Sequence, residues 1–155
     1  MQATKDADRT IVLTRTFTAS RVMVFDALTR GEHLIQWMQP ANMRLVHCDV
    51  DLRAGGTFRY VFERRPGRTM EVRGVYEIFD SPARLEYLES YDFSPLEVRV
   101  ATSLEQDRDE TVYRQTIRYA SNEERDADFD GVATSAAELY AKLDRYLASS
   151  RADGA

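Results

Sequence analysis

Two periodicities divide the chain. From Met43 to Tyr119 apolar and polar residues alternate in short runs, the two-residue repeat of a β-strand with one dry and one wet face. Six runs stand out, at 43–51, 57–64, 71–79, 84–91, 96–104 and 111–119. Turn formers separate them: Gly55-Gly56, Pro66-Gly67, Ser81-Pro82, Ser94-Pro95 and Asp107-Arg108-Asp109. A seventh run, 10–18, is rich in β-branched residues and alternates Ile11, Leu13 and Phe17 with polar neighbours.

The helical repeat appears in two places. Ser20 is placed to cap a helix with apolar positions Val22, Phe25 and Leu28, and Gly31 is a plausible stop. A short second helix, 32–38, carries Leu34, Ile35, Trp37 and Met38 and ends before Pro40. Near the C-terminus, 123–147 has Val132, Ala136, Leu139, Leu143 and Leu147 at helical spacing, with a weak point at Asp130-Gly131. Each strand has one dry face, so the sheet needs one cover. The expected fold is therefore α+β: an antiparallel sheet of about seven strands wrapped on a long C-terminal helix. It should span 10–148, with 1–9 and 149–155 as frayed tails.

Composition narrows the function classes. With 155 residues, one domain is expected, large enough to bury a core. Acidic residues outnumber basic ones, 26 to 21, which argues against nucleic acid as a partner. The densest basic cluster, Arg64, Arg65 and Arg68, brackets Pro66-Gly67 and reads as a solvated hairpin tip. The single cysteine, Cys48, cannot form an intrachain disulfide and fits a reducing compartment. The polar first nine residues have no apolar signal core, and no apolar run could span a bilayer. A cytoplasmic protein is expected.

Candidate chemistry is sparse. The histidines are His33 and His47. His47 and Cys48 are adjacent on a strand and point to opposite faces, so no metal site is expected, and no cofactor. Cys48 reads as a small core residue, and no serine sits in a nucleophile elbow. The dry face is more informative. By parity Tyr60, Tyr76, Tyr87, Tyr91 and Tyr113 fall on or near it, with Glu89 between Tyr87 and Tyr91 and Gln115 beside Tyr113. Polar groups on an apolar face need partners. They either satisfy one another as a core network or orient a mostly apolar ligand in a cavity. A buried Glu89 would have a raised pKa and is the one candidate acid or base.

Several motifs resemble a known family. Val24-Phe25-Asp26-Ala27-Leu28-Thr29, then Leu34-Ile35-Gln36-Trp37 and Pro40, resembles the opening of the Aha1-like domain, named for the activator of the Hsp90 ATPase, in the START-like (SRPBCC) superfamily. Asp51-Leu52-Arg53-Ala54-Gly55-Gly56 is similar to that family's Asp-x-Arg-x-Gly-Gly signature before a strand. Gly74-Val75-Tyr76-Glu77-Ile78, Arg84-Leu85, Thr111 and the stretch from Leu143 to Leu147 continue the likeness. There are two departures. Trp37-Met38 replaces a common aromatic pair, and Ser135-Ala136 stands where the family often has Gly-Trp. Without that tryptophan, either another side chain fills the gap or the pocket is wider.

The resemblance implies the helix-grip fold and a cavity between the sheet and the last helix that holds a lipid or other hydrophobic molecule. On the sheet side the implied lining is Phe58, Tyr60, Phe62, Tyr76, Tyr87 and Tyr91, then Tyr113 and Gln115. From the helices come Trp37, Ala136, Leu139 and Leu143. A second implied function is a polyketide cyclase or hydrolase-like enzyme using Glu89 in the same cavity. A third is an Hsp90 co-chaperone. It comes last because the resemblance covers only the C-terminal domain of the activator. Exposed strand edges leave a homodimer open.

Overall fold

The computed structural model describes residues 1–6, 8–40 and 42–153, with side chains through residue 150. Eight strands form one antiparallel sheet: β1 (Gln2–Asp6), β2 (Thr10–Phe17), β3 (Arg44–Val50), β4 (Thr57–Arg65), β5 (Arg68–Asp80), β6 (Arg84–Tyr91), β7 (Glu97–Asp107) and β8 (Glu110–Arg118). Their spatial order is β1-β2-β8-β7-β6-β5-β4-β3. β3 to β8 form a meander of hairpins, and β2 returns to pair with β8. Helices α1 (Arg21–Thr29) and α2 (Gly31–Trp37) carry the chain from β2 to the opposite edge at β3. The last helix, α3 (Asn122–Asp153), makes its closest backbone approaches to β2, β1, α1 and α2.

The expected architecture is present, with several local corrections. First, the sheet has eight strands rather than about seven, because residues 2–6 are not a frayed tail. Gln2 to Asp6 pair with Thr14 to Thr10, and Lys5 reaches both Asp126, at 3.2 Å, and the Phe129 ring. A strand so polar is held by edge pairing and contacts to α3, which local patterning does not display. Second, α3 runs unbroken through Asp130-Gly131 to Asp153, beyond the expected start of a tail at 149; residues 154–155 lie outside the described residues. Third, Gly31 does not stop α1. Arg30 is the cap, with φ −80°, and Gly31 opens α2.

Fourth, two bulges break strict parity. In β3 the register shifts between Leu45 and His47, leaving Val46 exposed while Leu45 packs in the core. In β5 it shifts between Tyr76 and Ile78, so Phe79, not Ile78, packs against the core. On α1, Val22 is exposed, and Val24 is buried instead. Ser20 caps α1 as expected, accepting from the Met23 amide at 3.2 Å.

Gly55-Gly56 supplies the sharp turn into β4. Gly55 has φ +83°, and a Cβ on Gly56 would sit 2.0 Å from the Asp51 carbonyl oxygen. Arg53 pairs with Asp51 across the turn at 3.0 Å. Arg64, Arg65 and Arg68 surround the exposed Gly67 tip, as the pattern predicts.

Candidate functional site

The interior divides into two buried clusters. One lies beneath α1, α2 and the C-terminal half of α3, around Phe17, Phe25, Leu34, Trp37, Tyr113 and Leu143. The other lies toward the N-terminal half of α3, around Ile11, Leu13, Val98, Val100, Tyr119 and Ala136. Between them the side chains leave a cavity of about 360 Å³ whose wall draws on both clusters.

The strand faces build the sheet side of that wall. Phe58, Tyr60 and Phe62 project from β4, Tyr76 from β5, and Tyr87, Glu89 and Tyr91 from β6. Register places Tyr76 opposite Tyr87, Gly74 opposite Glu89 and Val72 opposite Tyr91. Gly74 is required here: a Cβ would lie 2.1 Å from the Phe58 ring. The ring instead settles among Tyr60, Tyr76 and Tyr87, with centroids 5.0 to 5.2 Å away. From β8, Tyr113 and Gln115 face inward, and Gln115 Nε2 donates to Thr102 Oγ1 at 3.2 Å.

The helix side is one stripe of α3. Asp128, Val132, Ala136 and Tyr140 fall at four-residue steps, and Ser135 and Leu139 flank them. Tyr113 donates to the Tyr140 hydroxyl at 2.8 Å, closing the wall between β8 and α3. Met38 and Pro40, after α2, complete it.

Two predicted lining residues do not reach the cavity. Trp37 is buried in the first cluster, where its indole Nε1 donates to the Ala27 carbonyl at 2.8 Å and ties α2 to α1. Leu143 lies almost two helical turns beyond Ala136 and is fully buried in the same cluster. Conversely, the prediction passed over Tyr119, Asp128 and Tyr140, all on the wall. Helical spacing from Ala136 marks Asp128 and Tyr140, and strand parity with Tyr113 marks Tyr119.

The wall's electrostatics follow from its dryness. Glu89 stands on an interior strand, paired on both sides, with its half-buried side chain on the cavity. Loss of hydration pushes its carboxyl up to about 7, opposed by the hydrogen bond that Tyr91 donates to Oε2 at 2.5 Å. Burial also raises Tyr60, Tyr87 and Tyr113 well above the ordinary phenol range and Tyr76 to about 12, so all four remain protonated donors. In the cluster that holds Val98, the cross-strand partner of Glu89, Tyr119 donates to Asp128 Oδ2 at 2.5 Å.

Cys48 is partly buried against the first cluster, and desolvation pushes its thiol up to about 11, which leaves it a poor nucleophile. His47 is exposed and pairs with Asp49 at 2.7 Å, while His33 Nδ1 lies 2.6 Å from the Tyr146 hydroxyl. Among the described residues no group of three His, Cys, Asp or Glu could hold a metal ion. No helix among them is long and apolar enough to cross a membrane.

An antiparallel sheet wrapped on a long C-terminal helix, with a cavity between them, defines the helix-grip class. The chain belongs to the family described as "Activator of Hsp90 ATPase homolog 1-like protein", which matches residues 18–148. Among solved structures it is similar to a protein from Rhodobacter sphaeroides at 28% identity, covering 96% of this chain and 98% of that one with a TM-score of 0.88. A protein from Nitrosomonas europaea matches at 20% identity over 95% and 99% of the two chains, TM-score 0.84. CalU16 from Micromonospora echinospora matches at 19% identity over 89% and 75%, TM-score 0.67. No curated protein sequence matches the chain.

Proposed function

We propose that the chain binds a mostly apolar small molecule in the cavity between the sheet and α3. The observation that carries this is the cavity itself, about 360 Å³ with a mostly apolar surface into which phenol, amide and carboxyl groups are set. A packed core closes such a space, whereas ligand sites keep it open with a few placed donors and acceptors. Ala136 supports the reading: it sits on the wall where the family often carries tryptophan, and its methyl leaves room above the sheet. The lone Cys48 suits a reducing, cytoplasmic setting.

A second reading has one favourable observation. A cavity carboxyl titrating near neutrality is a competent general acid or base, and Glu89 is such a group, hydrogen-bonded to a phenol. That geometry fits a cyclase or hydrolase-like enzyme acting on the same ligand. An Hsp90 partnership rests on the family description alone.

Native mass spectrometry of the protein purified from its own host tests the first reading. A co-purifying small molecule that displaces a hydrophobic dye supports it. A bare protein that binds no dye at any concentration refutes it. Turnover of the captured molecule, lost in Glu89→Gln, would establish the second.

A further inference from the structure

The cavity's charge pattern is one-sided. Glu89 on β6 and Asp128 on α3 both stand on its wall, and among the described lining residues there is no lysine, arginine or histidine. Each carboxyl uses one oxygen on a wall tyrosine: Glu89 Oε2 accepts from Tyr91 and Asp128 Oδ2 from Tyr119. Among the described residues neither carboxyl has another hydrogen bond, which leaves Glu89 Oε1 and Asp128 Oδ1 to accept from a ligand. The two pairs share one end of the cavity: the register sets Glu89 opposite Val98, and Val98, Tyr119 and Tyr91 pack in the same cluster. Aromatic rings crowd the rest of the wall, among them Tyr87, Tyr113 and Tyr140.

That combination discriminates by charge. An ammonium group is stabilised by carboxylates and by neighbouring rings, and more so where water is scarce. It would offset the negative charge that burial penalises at Glu89. A carboxylate or phosphate headgroup would instead bring a like charge into an apolar space with no cation to balance it. The net charge of −5 also draws cations toward the protein.

We propose that the cavity selects apolar molecules bearing a protonated amine, seated at the Glu89–Asp128 end, and rejects those bearing a carboxylate or phosphate. This rests on the cavity being a ligand site. The test is dye displacement by three probes of one skeleton: naphthylethylamine, naphthylethanol and naphthylacetate. The amine should bind about tenfold tighter than the alcohol, and naphthylacetate weakest. Glu89→Gln and Asp128→Asn, made singly, should each shrink the amine-to-alcohol ratio. Equal binding of all three probes, or tighter binding of naphthylacetate, overturns the charge selectivity while leaving the cavity a ligand site. Binding of none overturns both. Should a variant fail to fold, the ranking on the unmodified protein still decides.

Discussion

Replacing Glu89 by glutamine removes a charge that folding desolvates while keeping the shape and an acceptor for Tyr91. The ordinary glutamate carboxyl titrates at 4.5, and this one at about 7 in the folded chain. The folded state therefore holds the proton more tightly than the unfolded state. Stability contributed by protonated Glu89 is fully present below 4.5, is lost as the pH rises toward about 7, and is flat above it. At about 1.4 kcal/mol per tenfold change in proton affinity, the loss approaches about 3 kcal/mol. Solvent reaching the half-buried side chain through the cavity trims this to about 2 kcal/mol. Urea unfolding of both proteins from pH 4 to pH 8 reads it directly, because other titrations cancel in the difference. The glutamine variant should gain about 2 kcal/mol on the parent across that window, or roughly 4–8 °C in Tm. Any fixed offset from the altered Tyr91 hydrogen bond is independent of pH. A difference that stays flat would place the carboxyl in water, and one that grows as the pH falls would mean that folding stabilises its charged form; either refutes the reasoning.

Ala136→Trp should fill the cavity, with stability unchanged or higher and hydrophobic-dye binding reduced in a fluorescence titration; a loss of about 1–3 kcal/mol with dye binding intact would mean the space is already packed. Gly74→Ala should destabilise by at least about 1–3 kcal/mol in urea, because its Cβ would meet the Phe58 ring at 2.1 Å. Trp37→Phe should cost about 1–3 kcal/mol in the same assay through the orphaned Ala27 carbonyl, leaving dye affinity nearly unchanged since Trp37 lies off the cavity wall. Chelation by EDTA should leave Tm unchanged, as no ligand cluster is present among the described residues.

Residue patterning was enough to determine which faces are dry, where most turns fall and that one long helix must cover the sheet. Alternation and helical spacing are local, and each follows from backbone geometry alone. They placed Phe58, Tyr76, Tyr87, Glu89, Tyr91 and Gln115 on the inner face before any contact was known. Strict parity failed only at the bulges, where one inserted residue turned Val46 and Ile78 the other way.

Only the tertiary structure decided what that face does. Edge pairing made a strand of residues 2–6, whose side chains are too polar to announce one. The divide between cavity wall and core depends on where α3 crosses. Near Ala136 it leaves space, and about two turns later Leu143 is fully buried, although both lie on the same apolar stripe. The resemblance implies Trp37 as a pocket residue, yet its indole Nε1 donates to the Ala27 carbonyl in the buried cluster beside the cavity. Glu89 is the clearest case. Parity gives its face, but its pKa depends on how much water that face retains. This is set by the neighbouring strands, which bring Gly74 and Val98 against it from either side, while Tyr91, two residues along its own strand, donates to it.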